Sequence, residues 1–253
     1  MNVCVVALGK IGLPLAVQCA LRGHQVIGAD VSADVVGLVN DAKEPFPGET
    51  DLAEHLATVI AAGRLTATTD TAAAVAQSDA VVIVVPLMVD DEGVPDYRAM
   101  DAATRDIARG LRPGTLVSYE TTLPLGATRN RFAPALAKGS GLAAGEDFSV
   151  CHSPERVYSG RIFADLRRYP KLVGGIDELS TKRAIEFYEA ILEFDDRPDL
   201  AQPNGVWDLG SAEAAEFAKL AETTYRDVNI ALANTFARTA DDFGVDIFKV
   251  IEA

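Results

Sequence analysis

A glycine turn near the start of the chain has the residue types that a dinucleotide site requires. An apolar run of strand length, 1–6, leads directly into Ala7-Leu8-Gly9-Lys10-Ile11-Gly12. A glycine at position 9 lets the backbone approach a pyrophosphate, and a glycine at position 12 lets the following helix pack closely on the strand. The free N–H groups at the start of that helix favour an anion. The turn therefore predicts dinucleotide contacts from Gly9, Lys10, Ile11 and Gly12.

An acidic residue stands where a ribose ligand is expected. Asp30 follows a second apolar run, 25–29, and lies roughly 20 residues after the turn, where a carboxylate can accept a hydrogen bond from a ribose 2′-OH. The same charge repels a 2′-phosphate, so the pattern favours NAD over NADP. The first glycine of the G-x-G-x-x-G pattern is replaced by Ala7. An ordinary strand–helix–strand unit with a glycine turn and no ligand is the alternative.

Polar segments follow three further predicted strands. Ligands of open parallel sheets bind beyond the carboxyl ends of the strands, so these segments are expected to lie near the dinucleotide. They are Pro86, Glu120-Thr121-Thr122 and Ser153-Pro154-Glu155-Arg156.

A long helix is predicted near the end of the chain. No glycine or proline occurs in 211–243, and Gly244 follows as a stop signal. Such a helix is about 50 Å long at 1.5 Å per residue, which is longer than a small domain needs. It therefore predicts a bridge between domains or a contact with a second subunit. An apolar stripe supports this reading: Phe217, Leu220, Ala221, Val228, Leu232 and Phe236.

The polar side of the same helix carries Lys219, Thr223 and Arg226. Their spacing of four and then three residues places them on one helix face. A binding function and a simple solvated helix surface both explain this arrangement at the level of the sequence.

These groups must be positioned by alternating strands and helices. Strands are predicted at 1–6, 25–29, 65–68, 80–85, 116–119, 148–151 and 172–174, and helices at 13–21, 31–40, 52–62, 71–77, 100–111, 127–137, 182–192 and 211–243. The alternation predicts an α/β fold with a doubly wound, mostly parallel Rossmann-type sheet, followed by the long helix of a second, helical domain. We place the NAD-binding domain at 1–205 and a helical dimerisation segment at 206–253.

Composition excludes several classes of protein. A net charge of −14 repels nucleic acid and anionic membranes, so we expect neither as a partner. No apolar run reaches the roughly 18–20 residues that span a bilayer, and no signal peptide is recognisable. The three cysteines and three histidines do not cluster, so we expect no metal site and no disulfide framework. A reduced, cytoplasmic environment is therefore predicted, with Cys151 as a small buried core residue.

Four ordered motifs resemble the UDP-glucose/GDP-mannose dehydrogenase family, the nucleotide-sugar 6-dehydrogenases. They are GKIGLPLA at 9–16, ETTLPLGAT at 120–128, SPERV at 153–157, and KLAE at 219–222 followed by RDVNIALAN at 226–234. The resemblance extends over essentially the whole chain. It is greatest to the branch that acts on UDP-N-acetylhexosamines.

The resemblance implies a reaction and roles for particular residues. The family oxidises a sugar C6 alcohol to a carboxylate with two NAD, through a thiohemiacetal and a thioester on a cysteine. Thr122 and Glu155 match positions that handle the water and its proton, and Lys219 matches the lysine that stabilises the oxyanion. Thr223 stands beside them, where members usually have asparagine.

The resemblance also implies binding partners. NAD contacts are expected from Pro86, Thr122 and Glu155, in addition to the glycine turn and Asp30. UDP-sugar contacts are expected from Arg156, Lys219 and Arg226. A homodimer through the helix at 211–243 and a role in polysaccharide biosynthesis are implied as well.

The sequence departs from the family at several positions. Leu87 and Met88 replace the usual Thr and Pro after the strand, and Ser159 replaces a second acid, which favours the N-acetylhexosamine branch. The G-x-G-G-x-C nucleophile motif expected shortly after residue 253 is not within these residues. We therefore expect a chain that folds and binds NAD but does not form the uronate alone, being either a truncated enzyme or a short homologue.

Two alternatives remain at the level of the sequence. One is a related β-hydroxyacid-type dehydrogenase that performs a single alcohol oxidation. The other is a non-catalytic module for NAD binding or dimerisation. The SPER segment at 153–156 and the RDVNIALAN segment argue against the first alternative.

Overall fold

A computed structural model describes residues 1–253. Its elements follow in chain order. They are β1 (Asn2–Val6), α1 (Gly12–Leu21), β2 (Gln25–Ala29), α2 (Ala33–Asn40), α3 (Leu52–Ala61), β3 (Leu65–Thr68), α4 (Thr71–Val75), β4 (Ala80–Ile83), β5 (Met88–Val89), β6 (Pro95–Asp96), α5 (Arg98–Gly110), β7 (Leu116–Tyr119), a π-helical turn (Thr128–Phe132) that continues into α6 (Ala133–Ser140), β8 (Ser149–His152), α7 (Ile162–Arg168), β9 (Lys171–Gly175), α8 (Glu178–Ile191), β10 (Val206–Asp208), α9 (Ala212–Asp242) and α10 (Ile247–Glu252).

Eight strands form one sheet in the order β10-β9-β8-β7-β4-β1-β2-β3. All neighbours are parallel except β8 and β9, which pair antiparallel. The chain builds outward from β1 through β2 to β3 and then returns to β4 on the other side of β1. This return creates a topological switch point between β1 and β4, where open α/β sheets bind ligands.

Apolar side chains are buried on both faces of the central strands. On β1, Val3 and Val5 belong to one core cluster, whereas Cys4 and Val6 belong to the other. Helices α1, α2, α3, α7 and α8 cover the first face, and α4, α5 and α6 cover the second. An uninterrupted apolar strand fits this environment, because successive side chains point to opposite faces that are both covered. The predicted doubly wound, mostly parallel sheet is confirmed.

Four short structures were absent from the sequence prediction. The hairpin of β5 and β6 lies in a segment that we predicted as a loop, and α7, β10 and α10 lie in segments without a prediction. Because β10 pairs with β9, the sheet continues for three residues past the proposed boundary at 205. The division into two domains stays a prediction.

Helix α9 is anchored at one end only. The Ser211 hydroxyl accepts a hydrogen bond from the N–H of Ala214 and caps the helix, and Ala212 and Ala215 are fully buried. The Glu216 carboxylate accepts hydrogen bonds from the N–H groups of Gly126 and Thr128. Beyond this first stretch the large apolar side chains are exposed. They include Phe217, Tyr225, Val228, Ile230, Leu232 and Phe236.

No helix combines the length and the apolar character that crossing a membrane requires.

Candidate active site

The glycine turn is shaped by close contact between α1 and the sheet. A Cβ added at Gly12 would lie 1.9 Å from the Ala7 carbonyl oxygen and 2.6 Å from Cγ2 of Val84, so only glycine fits there. A Cβ at Gly9 would meet nothing within 4 Å. Gly12 therefore serves packing, whereas Gly9 leaves open space above the turn. Ala7 has a φ of 77°, a region that favours glycine and that costs other residues about 1–2 kcal/mol.

Asp30 is held at the end of β2 by two backbone donors. The Leu8 N–H donates to Oδ2 at 2.7 Å, and the Ser32 N–H donates to Oδ1 at 2.9 Å. A carboxylate has about four acceptor positions, so each oxygen keeps capacity for a further donor. Asp30 thus fixes the glycine turn and remains able to accept from a ribose hydroxyl.

A cavity of about 160 Å³ lies directly over the turn, lined by Gly9, Lys10 and Leu13 and closed by a loop at 46–49. The loop is fastened across the cavity by Glu49, whose carboxylate accepts from the N–H groups of Gly160 and Ile162, each at 2.6 Å. Open space above a glycine at a helix N-terminus fits a dinucleotide pyrophosphate. The predicted Gly9, Lys10, Ile11, Gly12 and Asp30 are all found at this end of the sheet.

A second cavity of about 320 Å³ lies beyond the carboxyl ends of β4 and β7. It brings together residues that are distant in the sequence. Its lining contains Ile11, Val84, Pro86, Glu120, Thr121, Thr122, Glu155, Val157 and Lys219. The structure therefore unites the predicted Pro86, Thr122, Glu155 and Lys219 around one space.

Lys219 reaches this cavity from α9. Its Nζ donates to the backbone carbonyl of Glu155 at 2.6 Å, and burial lowers the pKa of the amine from its ordinary value. The Thr223 hydroxyl, one turn further along α9, donates to the Lys219 carbonyl at 2.8 Å. Lys219 thus presents a fixed positive charge to the cavity, while the Thr223 hydroxyl proton is already used by its own helix.

A third cavity of about 310 Å³ adjoins the second and shares Val157 and Lys219 with it. Arg156 forms two hydrogen bonds to the Glu222 carboxylate, at 2.7 and 3.0 Å, and Arg226 donates to the Tyr158 hydroxyl at 2.8 Å. The predicted Arg156, Lys219, Thr223 and Arg226 all line this space. Cationic side chains on one wall suit an anionic ligand.

Behind Glu155 lies a buried ion cluster that the sequence prediction missed. Lys171 Nζ donates to Glu120 Oε2 at 3.0 Å and to Glu155 Oε2 at 3.1 Å. The Tyr188 hydroxyl donates to Glu120 Oε1 at 2.6 Å. Lys171 is the first residue of β9, whose residues are all buried. A lysine is rarely buried without a partner of opposite charge. A lysine next to a predicted buried strand was therefore a signal for an ion pair that the sequence prediction did not use.

The three ionisable groups influence one another strongly. Burial raises the pKa of Glu120 to about 7, although Lys171 opposes the shift. Burial also acts to raise the pKa of Glu155, but Lys171 and the hydrogen bonds to that carboxylate outweigh it, and the pKa is lowered. The pKa of Lys171 is raised, because the two carboxyl groups outweigh its burial.

The cysteines are fully buried. Burial raises the pKa of the Cys151 thiol to about 12, and the pKa values of Cys4 and Cys19 are raised for the same reason. A thiol in this state is protonated at neutral pH and is a poor nucleophile. Cys151 is therefore a core residue, as predicted. The structure contains no group of three or more His, Cys, Asp or Glu side chains arranged to hold a metal ion.

The sheet with its switch point, the glycine turn and the acid after β2 define an NAD-binding Rossmann domain of the dehydrogenase type. The chain belongs to the UDP-glucose/GDP-mannose dehydrogenase family. Residues 1–192 match the family's NAD binding domain, and residues 213–253 match its central domain. NAD is accordingly the cofactor of this domain, as the glycine turn and Asp30 predicted.

Named relatives give the same result. The chain is 36% identical to the UDP-N-acetyl-D-mannosamine dehydrogenase of Pyrococcus horikoshii, over 100% of this chain and 57% of that protein. It is 33% identical to the NDP-N-acetyl-D-galactosaminuronic acid dehydrogenase of Ralstonia solanacearum, over 99% of this chain and 57% of that protein. A solved structure of the UDP-D-ManNAc dehydrogenase from Pyrococcus horikoshii matches with a TM-score of 0.90 and 33% identity, covering 100% of this chain and 57% of that chain. The chain thus spans somewhat more than half the length of these relatives.

Proposed function

We propose that this chain provides the NAD-binding and alcohol-oxidising part of a dehydrogenase that converts the C6 alcohol of a UDP-N-acetylhexosamine into the uronate with two NAD. One observation carries the proposal: Thr122, Glu155 and Lys219 line a single cavity that adjoins the glycine turn through Ile11. The names of the relatives, dehydrogenases of N-acetylated nucleotide sugars, support the choice of substrate.

Gly9, Lys10, Ile11, Gly12 and Asp30 hold the pyrophosphate and ribose of NAD in this proposal. Bound NAD supplies a hydride acceptor for the sugar carbon. The carboxylate of Glu155, whose pKa is lowered as described above, takes up a proton from the reacting oxygen or from water. The ammonium of Lys219 stabilises negative charge on that oxygen within a partly buried cavity. Thr122 contributes a hydroxyl to the cavity wall, and Pro86 is part of the same wall.

The adjoining cationic cavity is proposed as the approach for the anionic part of the substrate. Arg226 and Lys219 lie on its α9 wall, while the guanidinium of Arg156 is engaged with Glu222. The net charge of the chain is −14, so a local group of positive side chains is needed to attract a diphosphate. Thr223, in place of the family's asparagine, offers this cavity only a hydroxyl oxygen that can accept, because its proton is donated within α9.

The second oxidation requires a thiol, and residues 1–253 provide only buried, protonated ones. We therefore expect these residues to bind NAD without sustained formation of the uronate.

A homodimer through α9 and a cytoplasmic location are part of the same proposal. The exposed apolar side chains of α9 support the dimer, because large apolar patches on soluble proteins commonly mark contact surfaces.

Calorimetric titration with NAD(H) and NADP(H) tests the cofactor site. We expect micromolar-range binding of NAD(H) and markedly weaker binding of NADP(H). Equal affinities, or no binding of either, would contradict the proposal. Lys138→Met, which removes an exposed lysine outside both cavities, is the control and should retain binding.

Incubation with NAD and UDP-N-acetylmannosamine, UDP-N-acetylglucosamine or UDP-glucose tests the chemistry. Two NADH formed per sugar by residues 1–253 alone would show that no further thiol is needed.

Sedimentation at tens of micromolar tests assembly, and a single monomeric species would count against the dimer.

A further inference from the structure

The ion cluster behind Glu155 contains more acid than base. Two carboxyl groups, Glu120 and Glu155, share the single ammonium group of Lys171, at 3.0 and 3.1 Å. Glu120 is 1% exposed and the Lys171 residue is 5% exposed, so water compensates the charges of these two groups poorly, whereas the Glu155 side chain, 13% exposed, faces the cavity. With both acids ionised, the cluster would hold an uncompensated negative charge in the interior, which is costly. The cluster is electrically balanced when the two acids hold one proton between them.

Hydrogen-bond donors decide which acid holds the proton. Glu155 Oε1 accepts from the backbone N–H groups of Arg156 and Val157, at 2.6 and 3.1 Å, which favours the ionised form. Glu120 has no backbone donor among its partners, which are Lys171 and the hydroxyl of Tyr188.

The Tyr188 hydroxyl can also form a hydrogen bond with Glu120 when Glu120 is protonated. Tyr188 is 2.7 Å from the Ser118 hydroxyl, and either oxygen can be the donor in that pair. The Tyr188 hydroxyl can therefore turn towards Ser118 and accept a hydrogen bond from a protonated Glu120. No comparable freedom exists at the two backbone donors of Glu155.

We propose that Glu120 and Lys171 are positioning residues for Glu155: Lys171 orients its carboxylate and keeps it ionised at the cavity, and Glu120 holds the one proton of the pair in the interior. The inference rests on the proposed function only in treating Glu155 as the base of the site. The titratable groups that face Glu120 are Lys171, Glu155, Tyr188, Cys19 and Cys151, and Lys219 faces Glu155 from α9. The raised pKa of Glu120 and the lowered pKa of Glu155 agree with this division.

Carbon-13 NMR of the chain labelled at the glutamate side-chain carboxyl carbons can follow each acid separately. Glu120→Gln and Glu155→Gln assign the two signals. In the unaltered chain, we expect Glu155 to stay ionised down to acidic pH and Glu120 to titrate near neutrality. Glu155→Gln should move the Glu120 titration to lower pH, because Glu120 then has Lys171 to itself. An unchanged Glu120 titration in Glu155→Gln would overturn the sharing of one proton.

Lys171→Met tests the role of the lysine. We expect the titration midpoint of Glu155 to rise by about 1–3 pH units, the usual effect of losing an opposite charge at this distance. Lys171→Arg keeps the positive charge and should leave the Glu155 midpoint low. Lys138→Met removes an exposed lysine outside the cluster and should leave the Glu155 midpoint unchanged. If Glu155 titrates identically in Lys171→Met, the inference is wrong. Should Lys171→Met fail to fold, the titration of Glu120 in Glu155→Gln still tests the sharing of one proton.

The same variants are titrated with NAD by calorimetry. Failure of the unaltered chain to bind NAD would contradict the proposed function and leave the carboxyl titrations intact. Conversely, normal NAD binding together with an ionised Glu120 at about pH 6 would overturn only this inference.

Discussion

The glycine turn and the charged cavity lie at neighbouring strand ends, but they are built differently. At the turn, the structure depends on backbone geometry: the missing Cβ of Gly12, the open space above Gly9 and the N–H of Leu8 on Asp30. In the charged cavity, side chains from separate parts of the chain meet, with Lys171 bridging Glu120 and Glu155. Steric exclusion therefore controls the first site and charge balance controls the second. Substitutions in the two sites should fail in different ways.

Lys171→Met should have the largest effect, because it leaves two buried acids without a cation. Removing one partner of a buried ion pair typically costs about 3–5 kcal/mol. We expect a loss of this size in the free energy of unfolding, measured by urea denaturation at neutral pH. Lys138→Met is the control and should lie within about 0.5 kcal/mol of the unaltered chain. A loss in Lys171→Met as small as in the control would show that the two sites do not differ in this way.

Gly12→Ala and Gly9→Ala form a matched pair at the turn. The added Cβ at Gly12 would meet the Ala7 carbonyl at 1.9 Å, so we expect destabilisation of about 3 kcal/mol together with loss of NAD binding. The Cβ at Gly9 enters open space, so the fold should persist. NAD affinity should fall, because the methyl group occupies the space above the turn where the pyrophosphate is proposed to bind. Equal thermal stability of the two variants would contradict the steric account.

Glu120→Gln should change how stability depends on pH. Its folded-state pKa of about 7 lies above the ordinary value of 4.5, so the folded chain binds a proton that the unfolded chain has released. This contribution is fully present below the unfolded pKa and is lost as pH rises through 7. Between about pH 5 and pH 8, stability should therefore fall more in the unaltered chain than in Glu120→Gln, by about 2 kcal/mol. Parallel curves of unfolding free energy against pH would show that Glu120 is ionised throughout.

Ala7→Gly should have the smallest effect and the opposite sign. The φ of 77° at Ala7 favours glycine, so the substitution should stabilise the chain by about 1 kcal/mol, less the flexibility that glycine adds to the unfolded state. Ala42→Gly, at a φ of 58° outside the site, is the control for a purely conformational gain. Thermal unfolding measures the change. A loss of stability in Ala7→Gly would mean that the packing of the Ala7 methyl group stabilises the chain by more than the backbone strain destabilises it.

The same contrast explains what the sequence could predict. The turn and its strands are local patterns of adjacent residues, so these elements, and the place of Asp30 directly after β2, were predicted correctly. Helix α7 has only seven residues and β10 only three, too few for a periodic pattern to appear. Lys171 lies 51 residues from Glu120 and 16 from Glu155, and nothing local in the sequence links them. Resemblance to the family indicated Glu155 and Lys219, but only the fold revealed the lysine behind the acid.

The single anchor of α9 has a consequence for how the helix opens and closes in solution. Its first part is buried at Ala212 and Ala215 and is bonded to other elements through Glu216, Lys219, Glu222 and Arg226. The helix beyond Arg226 depends mainly on its own backbone hydrogen bonds. Helices without tertiary packing are marginally stable in water. Amide hydrogen exchange should therefore be slow near Ala215 and progressively faster towards Asp242 in a monomer. A partner seated on the exposed apolar side would make exchange uniformly slow, so the exchange gradient along this one helix would reveal whether its surface is covered.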